Sequence, residues 1–470
     1  MDRIDRFGLT RGQLEAITAE GMRGGADWCD LYFEDTSFYD LLLRDGEVNS
    51  GGCSTDYGCG IRVLKGEKTG YAYSESTDFA SLMACARAAS GIAACGGTTA
   101  LHSHASGQAP VRDLYPMAMD WRAADISTFV PLLKRIDEGI RRRESRTLKV
   151  IAMLSYSVSD ILMYNSLGEL SSDCRPLGSI SVQTVFGSEG RVETNSVSYS
   201  IRAGAEMFTE SIADDLVERS VAGLDERFAA RRPKGGRMPV VMGAGASGIL
   251  LHEAMGHAFE ADFNRKGQSI FSDRMGSEIC RKGINIIDDG TIAGNRGACA
   301  YDDEGVPGQK TYMVTDGVLT SYLHDRISAS WYNVPPTGNG RRESFRYNPI
   351  PRMRATYMES GSDGTLADLI ASVKRGIFVD QFSNGQVKIG EGDFTFYVKS
   401  GALIENGRLT MPVKDINIIG NGPQALADIE AVASDLKIDN GTWTCGKEQS
   451  VAVSCGIPSV LIGNLTVGGE

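Results

Sequence analysis

Residues 238–268 read MPVVMGAGASGILLHEAMGHAFEADFNRKGQ. This stretch contains a predicted change from strand to helix and two of the five histidines in the chain. The run PVVM is typical of a buried strand, the glycines after it permit a tight turn, and the apolar residues after Gly248 predict a helix. We therefore expect a strand that turns directly into a helix carrying His252, Glu253 and His257.

The turn has the spacing of a dinucleotide-binding fingerprint, because Gly243, Gly245 and Gly248 match GxGxxG. That fingerprint also needs an acidic residue about 20 positions further on, after a second strand. Here the helix runs instead into two histidines and the charged segment DFNRKGQ. Small residues that let the strand turn closely into the helix are the favoured interpretation, and a nucleotide-binding enzyme is the weakest functional alternative.

His252, Glu253 and His257 form the pattern HExxxH, one residue longer than the HExxH of zinc peptidases. On an α-helix, histidines four residues apart differ by about 40° around the axis, whereas histidines five apart differ by about 140°. A π turn with i→i+5 hydrogen bonds would return both rings to one face. We predict that the helix is irregular around Met255 and Gly256. The alternative is an ordinary amphipathic helix with two partly buried histidines.

A metal bound at this segment needs a third protein ligand. Glu260 and Asp262 could supply it locally, because carboxylates also bind zinc. The same carboxylates could instead accept hydrogen bonds from the histidines and orient them. Both residues are therefore candidates for either role.

Helix-type and strand-type patterns follow one another along the chain on both sides of this segment, and they predict an α+β fold. Pro233, Lys234, Gly235 and Gly236 form a break, so we place the domain boundary there and expect a β-rich carboxy-terminal, metal-binding domain over 233–470. Residues 387–422 are typical of an antiparallel meander, and Asn406-Gly407 is a strong hairpin signal.

Residues 1–232 are predicted to form an amino-terminal α/β region with antiparallel meanders, with two units, 1–105 and 106–232, as an alternative. β-type runs occupy residues 31–74 and 149–204. Helices are predicted after a Thr10 cap and over residues 79–94, 126–143 and 212–232.

The composition excludes several classes of protein. A net charge of −12 and a pI near 5.1 disfavour a nucleic-acid-binding protein, because neutralising phosphates needs an excess of lysine and arginine. The sequence contains no run of about 18 apolar residues, so no membrane span is predicted, and the amino terminus lacks the apolar core of a secretory signal. We expect a cytoplasmic protein. Its ten cysteines lack CxxC pairs, so no disulfide framework is predicted.

Other polar segments can be interpreted either as functional sites or as ordinary loops and turns. Arg341, Arg342 and Arg346 could clamp substrate carboxylate or carbonyl groups, with a solvated loop as the alternative. The acidic run at 302–304 lacks the ligand register of a calcium loop and predicts a turn. The remaining three histidines, His102, His104 and His324, have no ligand partners nearby in sequence.

Several segments together resemble the TldD branch of the TldD/PmbA family of metallopeptidases, historically labelled modulators of DNA gyrase. The resemblance extends over essentially the whole chain. It rests on LLHEAMGHAFEADFNRKG (250–267) and on the segments at 25–35, 45–52, 60–74, 301–309, 335–358, 419–426 and 444–469. HExxxH together with the closing CGK separates the TldD branch from the PmbA (TldE) branch, which lacks the ligands.

The resemblance implies a metal held by His252, His257 and Cys445, with Glu253 as the general base. Two imidazoles and one thiolate leave a fourth position for water, as in catalytic zinc sites. The thiolate disfavours magnesium and calcium, so zinc is expected, with iron(II) as the alternative. Cys455 has a smaller claim, because Cys445 is the residue that matches the family's CGK.

The function implied is a metal-dependent peptidase that hydrolyses peptides or unstructured polypeptide segments through a metal-activated water. The resemblance also implies a dimer, with a PmbA-like (TldE-type) subunit or with a second copy of the chain. The first rival is a non-catalytic scaffold or regulatory subunit of such a complex, and the intact His252, Glu253 and His257 count against it.

Overall fold

The computed structural model describes residues 4–94 and 113–469 of the chain. Helices and strands are mixed along it, which confirms the predicted α+β class with amino-terminal antiparallel meanders and a β-rich carboxy-terminal part. Cys95, His102 and His104 lie outside the described residues. Within them, the nine cysteines are all free.

The first block of the chain is a helix, three antiparallel strands and a second helix. Their bounds are α1 Arg11–Gly21, β1 Trp28–Arg44, β2 Glu47–Lys65, β3 Lys68–Ser74 and α2 Phe79–Ala94. Thr10 and Gln13 form a capping box at the start of α1, so the predicted cap is confirmed. The predicted β-type runs merge into strands as long as 19 residues.

The second block repeats this pattern with α3 Val130–Arg143, β4 Thr147–Asn165, β5 Leu170–Ser188, β6 Arg191–Ile201, α4 Glu210–Val221 and α5 Leu224–Ala229. Two predicted helices differ in detail. The helix predicted over 126–143 begins with a 3-10 turn, Ile126–Phe129, and Pro131 stands in the first turn of α3, a position that proline favours. The helix predicted over 212–232 is broken at Gly223, whose φ of 66° interrupts the helical backbone.

Both blocks form one six-stranded antiparallel sheet in the order β3-β2-β1-β4-β5-β6. The first strand of each block forms the central pair, with Asp30 opposite Asn165 and Arg44 opposite Ile151. Helices pack on the sheet and close two hydrophobic clusters, one with α1 and α2 and the other with α3 and α4. The two meanders are therefore parts of one layer.

The carboxy-terminal part contains the remaining strands and helices. The strands are β7 Gly236–Met242, β8 Ile286–Asp289, β9 Lys310–Thr315, β10 Val318–Leu319, β11 Gly340–Arg341, β12 Ile350–Pro351, β13 Ala355–Met358, β14 Arg375–Lys388, β15 Asp393–Glu405, β16 Arg408–Pro412, β17 Asn417–Asn421, β18 Ile429–Val432, β19 Lys437–Ile438, β20 Thr444–Lys447, β21 Gln449–Ala452, β22 Ser454–Ile457 and β23 Val460–Val467. The helices are α6 Ile249–Leu251, α7 Ala261–Arg265, α8 Arg326–Tyr332, α9 Leu366–Ser372 and α10 Gly422–Ala427.

These strands form two larger sheets. One has the order β14-β7-β23-β17-β15-β16 with β18 paired to β23, and the other has the order β10-β9-β8-β13-β22-β19. The hairpin predicted at Asn406-Gly407 is confirmed, since both residues have positive φ and Glu405 pairs with Arg408. One large hydrophobic cluster includes residues of both sheets and of the histidine segment.

The first part of β1, residues 28–34, is buried on both faces, which explains its composition. Leu31 and Phe33 pack in the cluster that contains α1 and α2. Asp30, Tyr32 and Glu34 alternate with them and face the carboxy-terminal part, where Tyr32 packs beside Phe345 and Glu34 accepts a hydrogen bond from the Phe345 N–H at 2.8 Å.

Buried ion pairs hold the two parts of the chain together. Arg62, which is fully buried, donates to Asp30 at 2.5 Å and to Glu304 at 2.6 Å. Arg175 pairs with Asp303 at 2.6 Å. The carboxylates of residues 302–304 are occupied by backbone amides and arginines. The Gly305 N–H donates to the carbonyl of Asp302 at 3.3 Å, which confirms the predicted turn.

Within the described ranges, none of the helices is long and apolar enough to cross a membrane. The predicted division at residues 232 and 233 falls just before β7, the first strand outside the amino-terminal sheet.

Candidate metal centre

The segment that follows β7 is irregular at the point predicted. After α6, residues His252–Gly256 form a π turn in which the His257 N–H donates to the carbonyl of His252, and a 3-10 turn, His257–Phe259, follows. The two imidazole rings lie 5.1 Å apart between centroids. The predicted departure from α-helix around Met255 and Gly256 is confirmed, and the rings converge.

Glycines permit the packing of this turn. A Cβ atom at Gly256 would lie 2.0 Å from Sδ of Met353, and one at Gly422 would lie 2.3 Å from the carbonyl oxygen of Ala254. Both distances are far below van der Waals contact. The turn is therefore held closely between the Met353 segment and the start of α10.

Cys445 reaches the histidines from the hairpin of β20 and β21. Its Sγ lies 3.1 Å from Nε2 of His257, although 188 residues separate the two in sequence. One potential ligand atom each from His252, His257 and Cys445 lies within 4.8 Å of the other two, and all three residues are buried.

The electrostatics of this cluster favour a thiolate. Burial alone would raise the pKa of Cys445, but the adjacent His252 and His257 outweigh it and lower the pKa from 9.0 to about 4. The pKa of His257 is raised to about 10, because the charges of Glu260 and Cys445 outweigh the burial that would lower it.

Glu260 lies within hydrogen-bond distance of His257. Its Oε2 lies 2.9 Å from Nδ1 of His257 and 3.0 Å from Nζ of Lys447. Burial would raise the pKa of Glu260, but Lys447 and His257 lower it to about 2. In the neutral ring that a metal would bind, a proton on Nδ1 would face Glu260 and the lone pair of Nε2 would face Cys445. This geometry supports the orienting role for Glu260 over the ligand role.

Asp262, the second local candidate, pairs with Lys447 at 2.8 Å. Burial raises its pKa, and Lys447 opposes the rise. In the described part of the chain, the cluster with ligand-like geometry contains His252, His257 and Cys445, and neither Glu260 nor Asp262 belongs to it.

Glu253 has a different environment from the three buried residues. Its side chain keeps 23% of its exposure, and its Oε2 lies 4.0 Å from Nε2 of His257. It is therefore close to the cluster and open to solvent on one side, which suits a group that exchanges protons with a bound molecule.

The residues present fit a zinc-type ion. Two imidazole nitrogens and one thiolate are the donor types of a catalytic zinc site, and a thiolate suits zinc or iron better than magnesium or calcium. Nδ1 of His252 is buried without a hydrogen-bond partner among the described residues, and such an atom is costly unless something satisfies it.

The three arginines predicted as a substrate clamp have partners within the chain. Arg341 donates to the carbonyls of Met353 and Ala452, Arg342 stacks on Tyr32 and donates to the Asp303 carbonyl, and Arg346 pairs with Asp56 and Glu75. Arg341 and Arg342 are buried, so a solvated loop is wrong for these two. These contacts turn the three arginines toward groups of the chain itself and do not support a substrate clamp.

His324 is buried beside Tyr322 and Tyr332 and does not join the metal-type cluster. Burial lowers its pKa to about 4. The glycine turn is also packed against protein, since a Cβ at Gly248 would lie 2.6 Å from the backbone of Gly456. Close packing of strand and helix, rather than a nucleotide, accounts for that glycine.

Two residues at the site were not predicted from the sequence. Lys447 lies two positions after Cys445 in the CGK motif. Its closeness to Cys445 in sequence could therefore have marked it as a residue of the site. Arg352 donates to the Cys445 carbonyl at 2.7 Å, and no local pattern marks it among the arginines of its segment.

Family models match the chain in three parts. The model described as the PmbA/TldA metallopeptidase C-terminal domain matches residues 235–469. Models for domain 1 and the central domain of the same family match residues 29–93 and 120–224.

Named relatives agree with this assignment. The chain is 38% identical over 449 residues to the metalloprotease TldD homolog of Haemophilus influenzae, and the aligned region covers 94% of this chain and 93% of the relative. It is 34% identical over 241 residues to the zinc metalloprotease TldD homolog of Saccharolobus solfataricus, and the aligned region covers 50% of this chain and 53% of the relative.

Solved structures share the fold. A Thermotoga maritima protein described as a candidate modulator of DNA gyrase superimposes with a TM-score of 0.79 at 20% identity, over 97% of this chain and 99% of that one. TldE from Thermococcus kodakarensis gives 0.72 at 17% identity, over 97% and 100%. By its three matching domains and its full-length TldD relatives, the chain belongs to the TldD branch of the PmbA/TldD metallopeptidase family.

Proposed function

We propose that this chain is a metal-dependent peptidase that hydrolyses peptides or unstructured polypeptide segments. The observation that carries the proposal is the convergence of His252, His257 and Cys445 within 4.8 Å, with Glu253 directly after the first histidine. Membership of a metallopeptidase family supports the same class of reaction.

The three converging residues would hold the ion, and we propose zinc, with iron(II) as the alternative. The donor set supports zinc, and so does the name of the Saccharolobus relative, a zinc metalloprotease. A bound zinc ion would polarise the peptide carbonyl and make a coordinated water more acidic.

Glu253 is the proposed general base. Its carboxylate would accept a proton from the attacking water and return it to the nitrogen of the leaving amine, so that the C–N bond breaks to give a free amine. Its position supports this role, because Oε2 lies near Nε2 of His257 while the side chain stays partly exposed.

The burial of the site supports extended substrates. His252, His257 and Cys445 are all buried, and only Glu253 keeps partial exposure. The backbone of a folded protein could not approach these buried side chains, whereas an extended segment could approach them from the side on which Glu253 is exposed.

We also propose a dimer, with a TldE-type subunit or a second copy of the chain as partner. The shared fold with TldE over nearly the whole chain supports a pair of similar subunits. For the domains we propose a boundary at residues 232 and 233, because β7 begins the carboxy-terminal sheets at Gly236.

Metal analysis and peptidase assays test the proposal. The purified chain, alone and mixed with a TldE-type subunit, should contain about one zinc, lose it to a chelator, and cleave an unfolded protein faster than the native form of that protein. Zinc should restore cleavage after chelation. Bound metal without cleavage in either preparation would favour the scaffold alternative, and a chain that binds no metal would contradict the site.

A further inference from the structure

The residues proposed as ligands lie on two segments that Arg352 connects. On one side its Nη2 donates to the carbonyl of Cys445 and its Nη1 to the carbonyl of Gln449, both at 2.7 Å. On the other side its Nε lies 3.8 Å from Oε1 of Glu260, the residue that orients His257. One guanidinium therefore donates hydrogen bonds to the cysteine hairpin and forms a buried ion pair with the histidine segment.

The backbone of Arg352 is fixed independently of both segments. Its N–H donates to the carbonyl of Asn339 at 2.9 Å, and its carbonyl accepts a hydrogen bond from Nδ2 of Asn339 at 3.0 Å. The next residue, Met353, packs against the π turn at Gly256. Arg352 thus extends from an anchored point of the chain that also supports the turn.

The charges around Arg352 are balanced and buried. Arg352 and Glu260 both have 0% side-chain exposure, and Lys447 approaches the other oxygen of Glu260. Asp262 pairs with the same lysine. Charged groups removed from water interact more strongly than exposed ones, and loss of one partner leaves the other uncompensated.

We propose that Arg352 is a positioning residue that sets the distance between Cys445 and His257. The inference rests on the metal site proposed above. The planar fork of an arginine can donate to two carbonyls on one edge while its Nε faces a carboxylate, and a lysine ammonium cannot span both sides. Without the guanidinium, the hairpin loses the hydrogen bonds to the carbonyls of Cys445, Lys447 and Gln449 that fix Cys445.

Arg352→Lys tests the proposal by keeping the charge and removing the fork. Cobalt(II) serves as the probe, because its thiolate charge-transfer absorption reports the cysteine ligand directly. The variant should bind cobalt about tenfold to a hundredfold more weakly, as is typical when a partner of a metal ligand is removed. At saturating cobalt, the thiolate band should also be weaker than in the wild type.

Arg354→Lys is the matched control. Arg354 is likewise buried in the same segment, but its guanidinium donates to the carbonyls of Gly338 and Gly297. This variant should keep the wild-type cobalt affinity and thiolate band, even if its thermal stability falls. A weakened band in both variants would mean a general packing effect and would overturn the proposal.

The outcomes separate this inference from the proposed function. A wild-type chain that binds no cobalt contradicts the metal site itself. Wild-type binding with unchanged affinity and band in Arg352→Lys overturns only the role of Arg352. If circular dichroism shows that Arg352→Lys does not fold, Arg352→Gln replaces it and should give the same loss of affinity and band.

Discussion

Nδ1 of His257 lies 2.9 Å from the Glu260 carboxylate, three residues further along the chain. The contact fixes the ring and directs the other nitrogen, Nε2, toward Cys445, 3.1 Å away. A carboxylate partner of this kind orients a histidine ligand and raises its basicity. The relationship also explains why a carboxylate so close to the site is not positioned as a ligand.

Glu260→Gln should lower zinc affinity about tenfold to a hundredfold without abolishing binding, because the amide can still accept a hydrogen bond but carries no charge. Competition with a chromophoric chelator measures the affinity. Glu391→Gln, at an exposed ion pair with Lys388, is the control and should leave it unchanged. Complete loss of zinc from Glu260→Gln would mean that Glu260 is itself a ligand.

Glu253→Gln should keep the metal and lose activity by a factor of about 10² to 10⁴, the usual contribution of general acid–base catalysis. Glu253 lies beside the cluster but outside it, so the ligands stay in place. Metal content by mass spectrometry and cleavage of an unfolded protein are measured on the same sample. If the variant loses its metal, Glu253 must be reassigned as a ligand.

Cys445→Ala and Cys455→Ala should behave differently although both cysteines are buried. Cys445 lies beside the histidines, so its loss should remove most metal binding and activity. Cys455 pairs with Thr356 in the sheet, and burial raises its pKa well above the usual range. Its loss should cost about 1 to 2 kcal/mol of unfolding free energy through the cavity left behind, with metal content unchanged. Full metal binding by Cys445→Ala would contradict the cysteine assignment.

The metal-free protein should show a specific pH dependence. The lowered pKa of Cys445, about 4 against 9.0, adds stability that is fully present above pH 9 and is lost as the pH falls toward 4. The raised pKa of His257, about 10 against 6.5, adds stability that is fully present below pH 6.5 and is lost as the pH rises toward 10.

The two contributions together predict that the stability added by the pair rises between pH 4 and 6.5, changes little up to pH 9 and then falls. Denaturant unfolding of metal-free wild type and Cys445→Ala across this range measures the difference. Thiolate ultraviolet absorbance at neutral pH should be larger in the wild type than in the variant by the contribution of one thiolate. A difference in stability that does not depend on pH would contradict the imidazolium–thiolate pair.

The local features of this protein follow from short stretches of its sequence. The HExxxH spacing predicted a departure from α-helix, because five residues on a regular helix cannot place two side chains on one face. The Thr10 cap and the Asn406-Gly407 hairpin were likewise predictable, since each depends on the conformational preference or hydrogen bonding of a few adjacent residues.

Which distant segments meet depends on the packing of the whole chain. Two of these contacts join residues far apart in the chain: β1 pairs with β4, and Cys445 approaches His257. Distant segments likewise bury Arg62, Arg342 and Arg352. Arginines in a glycine-rich loop look the same in sequence whether they face solvent or a buried carboxylate. Their environment is set by the packing of sheets and loops against one another, and short-range patterns carry no information about that packing.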